Sequence, residues 1–328
     1  MKPSLSDVAI EAAIATIEAE AATPTEKING LIEIARQLQD QAQSAQQQED
    51  AVYLYCQALE LCEEGVSPLL QARVLTGLGA ALRLIPATVA DPLVEAKLAY
   101  EKALPLLQEY AAPEEIAAAE MNLGLVFQAL APYGMAQLSE VIQKYQRALR
   151  VFTGETYPKE HAIVQNNIAI AYLSAPLTDH QDETRHLAVE AFEQALQYLT
   201  LANHPQEYAL LQNNLGNALQ YLQCPNSWEN SYRALTAYDE ALKVRTVQAM
   251  PLEYANTLTN KAHVLLSLPD DNNHPGAGNL RNLNQAKALY KEAHTIFQQQ
   301  GQTRHAKVVA TALADIESEL LAQKPFQG

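Results

Sequence analysis

The runs "HAIVQNNIAIAYL" (residues 161–173) and "YALLQNNLGNALQYL" (208–222) share one grammar: Gln-Asn-Asn, an apolar residue, then a small one, Ala169 or Gly216. Apolar residues recur in both at steps of three and four, the spacing that lines one face of an α-helix. Upstream of each run stands a proline, Pro158 or Pro205, followed two residues later by Glu160 or Glu207. Proline at the first helical position loses no hydrogen bond. A carboxylate in the first turn meets the positive end of the helix dipole. Both runs are therefore read as helices with defined starts.

The same signals extend outward along the chain. Pro68, Pro113, Pro158, Pro205 and Pro251 are separated by 45, 45, 47 and 46 residues, and Glu115, Glu160, Glu207 and Glu253 follow four of them. Eleven residues after each proline stands a small residue, namely Gly79, Gly124, Ala169, Gly216 and Ala262. Only a small side chain lets a second helix approach closely at such a point. A second helix in each unit carries Ala-x3-aromatic-x2-Ala, as in Ala51/Tyr55/Ala58, Ala96/Tyr100/Ala103, Ala188/Phe192/Ala195, Ala234/Tyr238/Ala241 and Ala286/Tyr290/Ala293, with Val141/Tyr145/Ala148 as the one variant. Steps of four and three put the triplet on one face, so the ring fills the space its small neighbours leave. Between the two helices Pro86, Pro132, Pro176, Pro225 and Pro269 end the first. A period near 45 built this way is a series of helical hairpins.

This pattern resembles the tetratricopeptide repeat family, which pairs a small residue in helix A with an Ala-aromatic-Ala triplet in helix B. The resemblance covers residues 28–300 and is similar in type to the long-repeat branch found in kinesin light chains and in bacterial scaffold and signalling proteins. It implies an all-α, right-handed superhelix (a solenoid) of about six hairpins closed by a capping helix. The domain plan is an acidic N-terminal helix (5–22) and linker in 1–27 and a repeat array over 28–301, then a cap and tail in 302–328. The array divides into units at 28–66, 67–111, 112–156, 157–203, 204–249 and 250–301. Two departures stand out: the period is long, and the large aromatic expected four positions before the small residue is Leu75, Glu120, Gln165, Gln212 or Leu258.

First helices of such arrays line a concave wall. Two positions before the small residue the copies read Gly77, Asn122, Asn167, Asn214 and Asn260, with Asn166, Asn213, Asn217, Asn256 and His263 nearby. A primary amide both donates and accepts, so a column of amides can hold the backbone of an extended peptide whatever its side chains. The resemblance implies that role for Asn122, Asn166, Asn167, Asn213, Asn214, Asn217, Asn260 and His263; the alternative is that these asparagines bond the adjacent repeat. Some relatives clamp a ligand carboxylate with basic residues beside such asparagines. Here Arg73, Arg83 and Lys261 do not form that pattern, and a neutral, amide-lined groove is expected.

The chain has 328 residues, 48% of them apolar, and a net charge of -16, a field that repels nucleic acid and anionic lipid. Residues 1–66 hold 12 acidic and 3 basic side chains, which points to a client that is basic near its bound segment. The sequence contains no HExxH, no CxxC, no phosphate-cradling loop and no nucleophile elbow, so no catalytic residue, metal site or cofactor is expected. "PDDNNHPGAGN" (269–279) lacks the alternating ligands of a calcium loop and reads as an acidic flexible loop. Cys56, Cys62 and Cys224 are an odd count and read as reduced thiols. Neither a signal peptide nor a membrane span is evident. The expectation is a cytoplasmic, non-enzymatic scaffold, chaperone or assembly adaptor that holds a client peptide. Its rivals are a cytoplasmic peptide-sensing regulator and an all-helical enzyme.

Overall fold

A computed structural model describes residues 14, 15, 17, 23–40, 44–62, 65–86, 89–175, 181–222 and 228–322. Of the expected acidic N-terminal helix, only residues 14, 15 and 17 are among these, and they are helical. Cys224, Pro176 and Pro225 lie outside the described residues.

Thirteen α-helices and no strand occur among the described residues, in agreement with the all-α, helical-repeat expectation. They are α1 (Pro24–Asp40), α2 (Ala45–Glu60), α3 (Pro68–Leu84), α4 (Asp91–Tyr110), α5 (Pro113–Leu130), α6 (Leu138–Leu149), α7 (Pro158–Leu173), α8 (Gln181–Leu196), α9 (Pro205–Tyr221), α10 (Glu229–Leu242), α11 (Pro251–Ser267), α12 (Leu280–Gln299) and α13 (Thr303–Ala322). Odd and even helices pair into six hairpins, and α13 lies on α12. The chain forms two compact units, Met1–Thr153 with three hairpins and Gly154–Gly328 with three hairpins and α13. Within each unit the second helix of one hairpin packs on the first helix of the next.

The proline column marks true helix starts, since α3, α5, α7, α9 and α11 each begin at one of the five prolines. The first hairpin obeys the same rule, starting at Pro24 rather than at 28. Thr23 and Glu26 form a reciprocal cap there: Thr23 N–H donates to Glu26 Oε2 at 2.7 Å and Glu26 N–H to Thr23 Oγ1 at 3.3 Å.

Small residues and rings interlock inside each hairpin. A Cβ added to Gly79, Gly124 or Gly216 would stand 2.6 Å from the ring of Tyr100, Tyr145 or Tyr238, and all three rings are fully buried. Three phenols then find an amide on the first helix of their own hairpin. Tyr55 donates to Gln39 (2.9 Å) and Tyr145 to Gln128 (2.8 Å), while Tyr238 donates to Asn217 (2.8 Å) and accepts from Gln220. Burial pushes the Tyr145 and Tyr238 phenols well above their ordinary range. Gly77 interrupts the asparagine column because the Tyr55 ring occupies the space a side chain would need.

The missing aromatic is replaced by polar pairs reaching the second helix. Glu120, 3% exposed, accepts from Arg147 Nη1 at 3.1 Å and lies 3.7 Å from Lys144 Nζ. Gln165 donates to Gln194 at 2.8 Å. Leu75 and Leu258 are simply buried. At the far end of the second unit, Ala306, Val309 and Ile316 of α13 join the core of Leu283, Ile296 and Phe297 on α12. The loop before α12 is held by hydrogen bonds: Asp270 accepts from the N–H groups of Arg281 (2.7 Å) and Asn282 (2.9 Å), so this acidic residue caps a helix.

Candidate functional site

Asn122, Asn167, Asn214 and Asn260 each lie two residues, about half a turn, before the small residue that faces the second helix, and so on the other side of the first helix. In the second unit they meet across hairpins. Asn214 Nδ2 donates to Asn166 Oδ1 at 3.0 Å, joining α9 to α7, and Asn166 Nδ2 reaches Asn167 Oδ1 at 3.5 Å. Asn260 Nδ2 reaches Asn213 Oδ1 at 3.5 Å, joining α11 to α9. Both inter-hairpin bonds run from the later hairpin's nitrogen to the earlier one's oxygen, so the ladder has a direction. Asn213 is buried and Asn217 is half-buried, accepting from Tyr238. Asn166, Asn167, Asn214 and Asn260 are half-buried, and Asn256 and His263 are exposed. A carboxamide offers two donors and two acceptor positions, so the half-buried members keep hydrogen-bonding capacity beyond the ladder.

A deeper network supports the ladder that no sequence pattern marked. Arg245, 5% exposed, donates from Nη1 to the fully buried Thr257 Oγ1 at 2.9 Å, and Thr257 Oγ1 lies 3.1 Å from Asn213 Oδ1. Burial pulls the Arg245 guanidinium below its usual range, with Glu253 opposing the shift. Thr257 falls one turn before Lys261, but nothing at Arg245 distinguishes it in sequence from a surface arginine.

In the first unit, α1, α3 and α5 line a groove of about 320 Å³ whose wall includes Arg36, Gln39, Thr76, Gly77 and Asn122. No hydrogen bond holds the Asn122 amide among the described residues, in contrast to the ladder of the second unit. Arg73 spans α3 and α5 through a two-pronged bond to Glu115, Nε to Oε2 at 2.9 Å and Nη2 to Oε1 at 2.8 Å. Those bonds hold the Glu115 carboxyl below its ordinary value. Lys159 pairs with Glu207 at 2.7 Å and Lys261 with Asp239, so these first-helix cations are neutralised by the chain itself. Cys56 and Cys62 are free, half-buried thiols pushed up by burial, the inert form of the residue.

No protein-family model and no curated protein matches this sequence. Solved structures do match. BtubC (BKLC) from P. vanneervenii superposes with a TM-score of 0.52 at 17% identity, covering 90% of this chain and 93% of that one. A Rap protein complexed with competence and sporulation factor gives 0.51 at 13% identity, covering 95% and 80%. Both are helical repeat proteins, and the likeness establishes the fold expected from the tetratricopeptide resemblance. No helix among the described residues is long and apolar enough to cross a membrane.

Proposed function

We propose that this chain is a non-enzymatic, cytoplasmic scaffold or assembly adaptor that holds a peptide segment of a client protein along its first helices. The directional amide ladder of Asn166, Asn167, Asn213, Asn214 and Asn260 carries this reading, with Asn217 and His263 beside it and Asn122 as the matching amide within the first unit. Linked amides repeat a donor and an acceptor from hairpin to hairpin, which suits peptide backbone and needs no particular side chain. The acidic charge favours a client that is basic near the bound segment. A second reading, a regulator that senses a short peptide, is favoured by the likeness to a Rap protein whose structure holds competence and sporulation factor.

Affinity purification of the tagged protein from its host, followed by mass spectrometry and titration of the recovered client's peptides, tests both. A peptide whose affinity falls in Asn167→Ala and Asn214→Ala supports the groove. Clients that bind both variants as tightly as the unmodified protein would overturn it. A short secreted peptide as sole ligand would favour the regulator over the scaffold.

A further inference from the structure

On the second-helix side of the second unit, α8 and α10 bound a groove of about 470 Å³ floored by Leu215 and Leu219 of α9. An apolar cavity of about 150 Å³ already holds a benzene-sized group, so this one has room for side chains of a partner. Its rim carries Glu193, Glu229, Glu240, Arg233 and the exposed Tyr232, and Glu240 is paired with Lys243 of this chain. Glu229 makes no ion pair among the described residues. Glu193 is tied to Arg233 by an ion pair in which both side chains are over 40% exposed, a bond solvent makes weak and exchangeable.

The first unit contains the same position with its occupant in place. There Phe127, three residues after Gly124, lies under two lysines of this chain: Lys97 Nζ at 5.0 Å and Lys144 Nζ at 5.6 Å from the ring centre. Lys97 stands three residues before Tyr100, and Lys144 one before Tyr145. In the second unit, Leu219 is three residues after Gly216, but the positions matching the lysines are Val189 and Ala237, each 4% exposed. The chain lays two lysines over one floor and none over the other, where three carboxylates and one arginine, Arg233, form the rim.

We propose that this groove is a docking site for the lysine or arginine side chains of a basic amphipathic segment of a partner protein. The aliphatic stems lie on Leu215 and Leu219, and the charged heads reach Glu193, Glu229 and Glu240. The site is separate from the amide ladder and does not depend on it.

A fluorescent, 14-residue amphipathic peptide of leucine and lysine is the probe, with a leucine–glutamate peptide of equal length as its counterpart. Ala237→Lys supplies this chain's own cation, as Lys144 does in the first unit. Thr236→Trp fills the groove from its wall, and Glu229→Lys reverses the unpaired charge. Each should weaken the lysine peptide about tenfold or more with an unchanged helical circular dichroism spectrum. Glu33→Lys, on α1, should change it less than about twofold. Because Ala237 is buried, Thr236→Trp on the exposed wall decides the matter if Ala237→Lys unfolds. Equal weakening by Glu33→Lys and Glu229→Lys would reduce the effect to net charge and overturn the site. So would undiminished binding to Thr236→Trp, or equal binding of the glutamate peptide.

Discussion

Asn214 Nδ2 bonds Asn166 Oδ1 at 3.0 Å across two hairpins, so an amide of the proposed peptide surface ties the repeats together. A single substitution therefore reads both that bond and the proposed binding role. Asn214→Ala loses a half-buried amide bond and should lower stability by about 0.5–1.5 kcal/mol. Among the described residues Asn122 has no such bond, and Asn122→Ala should stay within about 0.5 kcal/mol. Urea midpoints of the two variants check this; equal losses would show that the ladder carries no stability.

Gly124 tests the ring-on-backbone contact. A Cβ there would stand 2.6 Å from Cε1 of the fully buried Tyr145, whose hydroxyl is fixed to Gln128. Overpacking costs about 1–3 kcal/mol, while alanine returns about 1 kcal/mol of helix propensity. Gly124→Ala should lose about 1 kcal/mol net, measured by equilibrium unfolding. A variant more stable than the parent would mean that the ring slides aside freely.

Much of this architecture was legible because its determinants are local. Helix starts follow from proline and glutamate, and close packing from the small residue and ring. The first hairpin obeys the same columns, with Pro24, Glu26 and Ala35 in the positions of Pro68, Leu70 and Gly79, although its sequence is recognisable mainly by its second helix. The asparagine column was legible as a column, but not what it bonds. Asn214 to Asn166 is a contact over 48 positions, set by how far successive first helices are offset. Arg245 was illegible because its burial comes from the helices packed around it, not from its neighbours in sequence.

Glu120 stands where the family resemblance calls for an aromatic residue, buried against Arg147 and Lys144. Apolar residues often replace buried ion pairs at no cost, and Leu75 and Leu258 already fill the matching position elsewhere. Arg147, with 43% of its side chain exposed, can return to water when its partner is gone. Glu120→Leu should hold stability within about 1 kcal/mol, whereas Glu120→Ala should lose about 2–3 kcal/mol to the void. Chemical denaturation separates them; equal losses would make the ion pairs the stabilising element.

The Arg73–Glu115 bridge predicts a small acid dependence. Glu115 is held below its unfolded value, so its contribution is present above that value and fades as pH falls through the lower folded one. Side-chain exposures of 51% and 36% mean solvent screens the pair, limiting it to about 0.5 kcal/mol. Glu115→Gln should thus be slightly less stable than the parent at about pH 7, and the gap should close as acid protonates Glu115. A gap that persists in acid would have another origin.

Removal of the last helix tests how the array is closed. α13 buries Ala306, Val309 and Ile316 against the core of the final hairpin, whose Ile296 and Phe297 are only 5% and 2% exposed with it in place. Its opposite face carries Arg304, Lys307, Asp315 and Ser318 with Val308 among them, all exposed, which gives the unit a largely polar end. Stability in stacked repeats is a sum over nearest neighbours, and an uncapped end exposes the face meant for the next repeat. Deleting Gln302–Gly328 should therefore leave an apolar surface along α12 that drives self-association, visible as a heavier species in sedimentation velocity. Protection of α11 and α12 amides from hydrogen exchange should fall, while the first unit keeps its protection. A truncated chain that stays monomeric, with α12 as protected as before, would show that α13 is an appendage and not a cap.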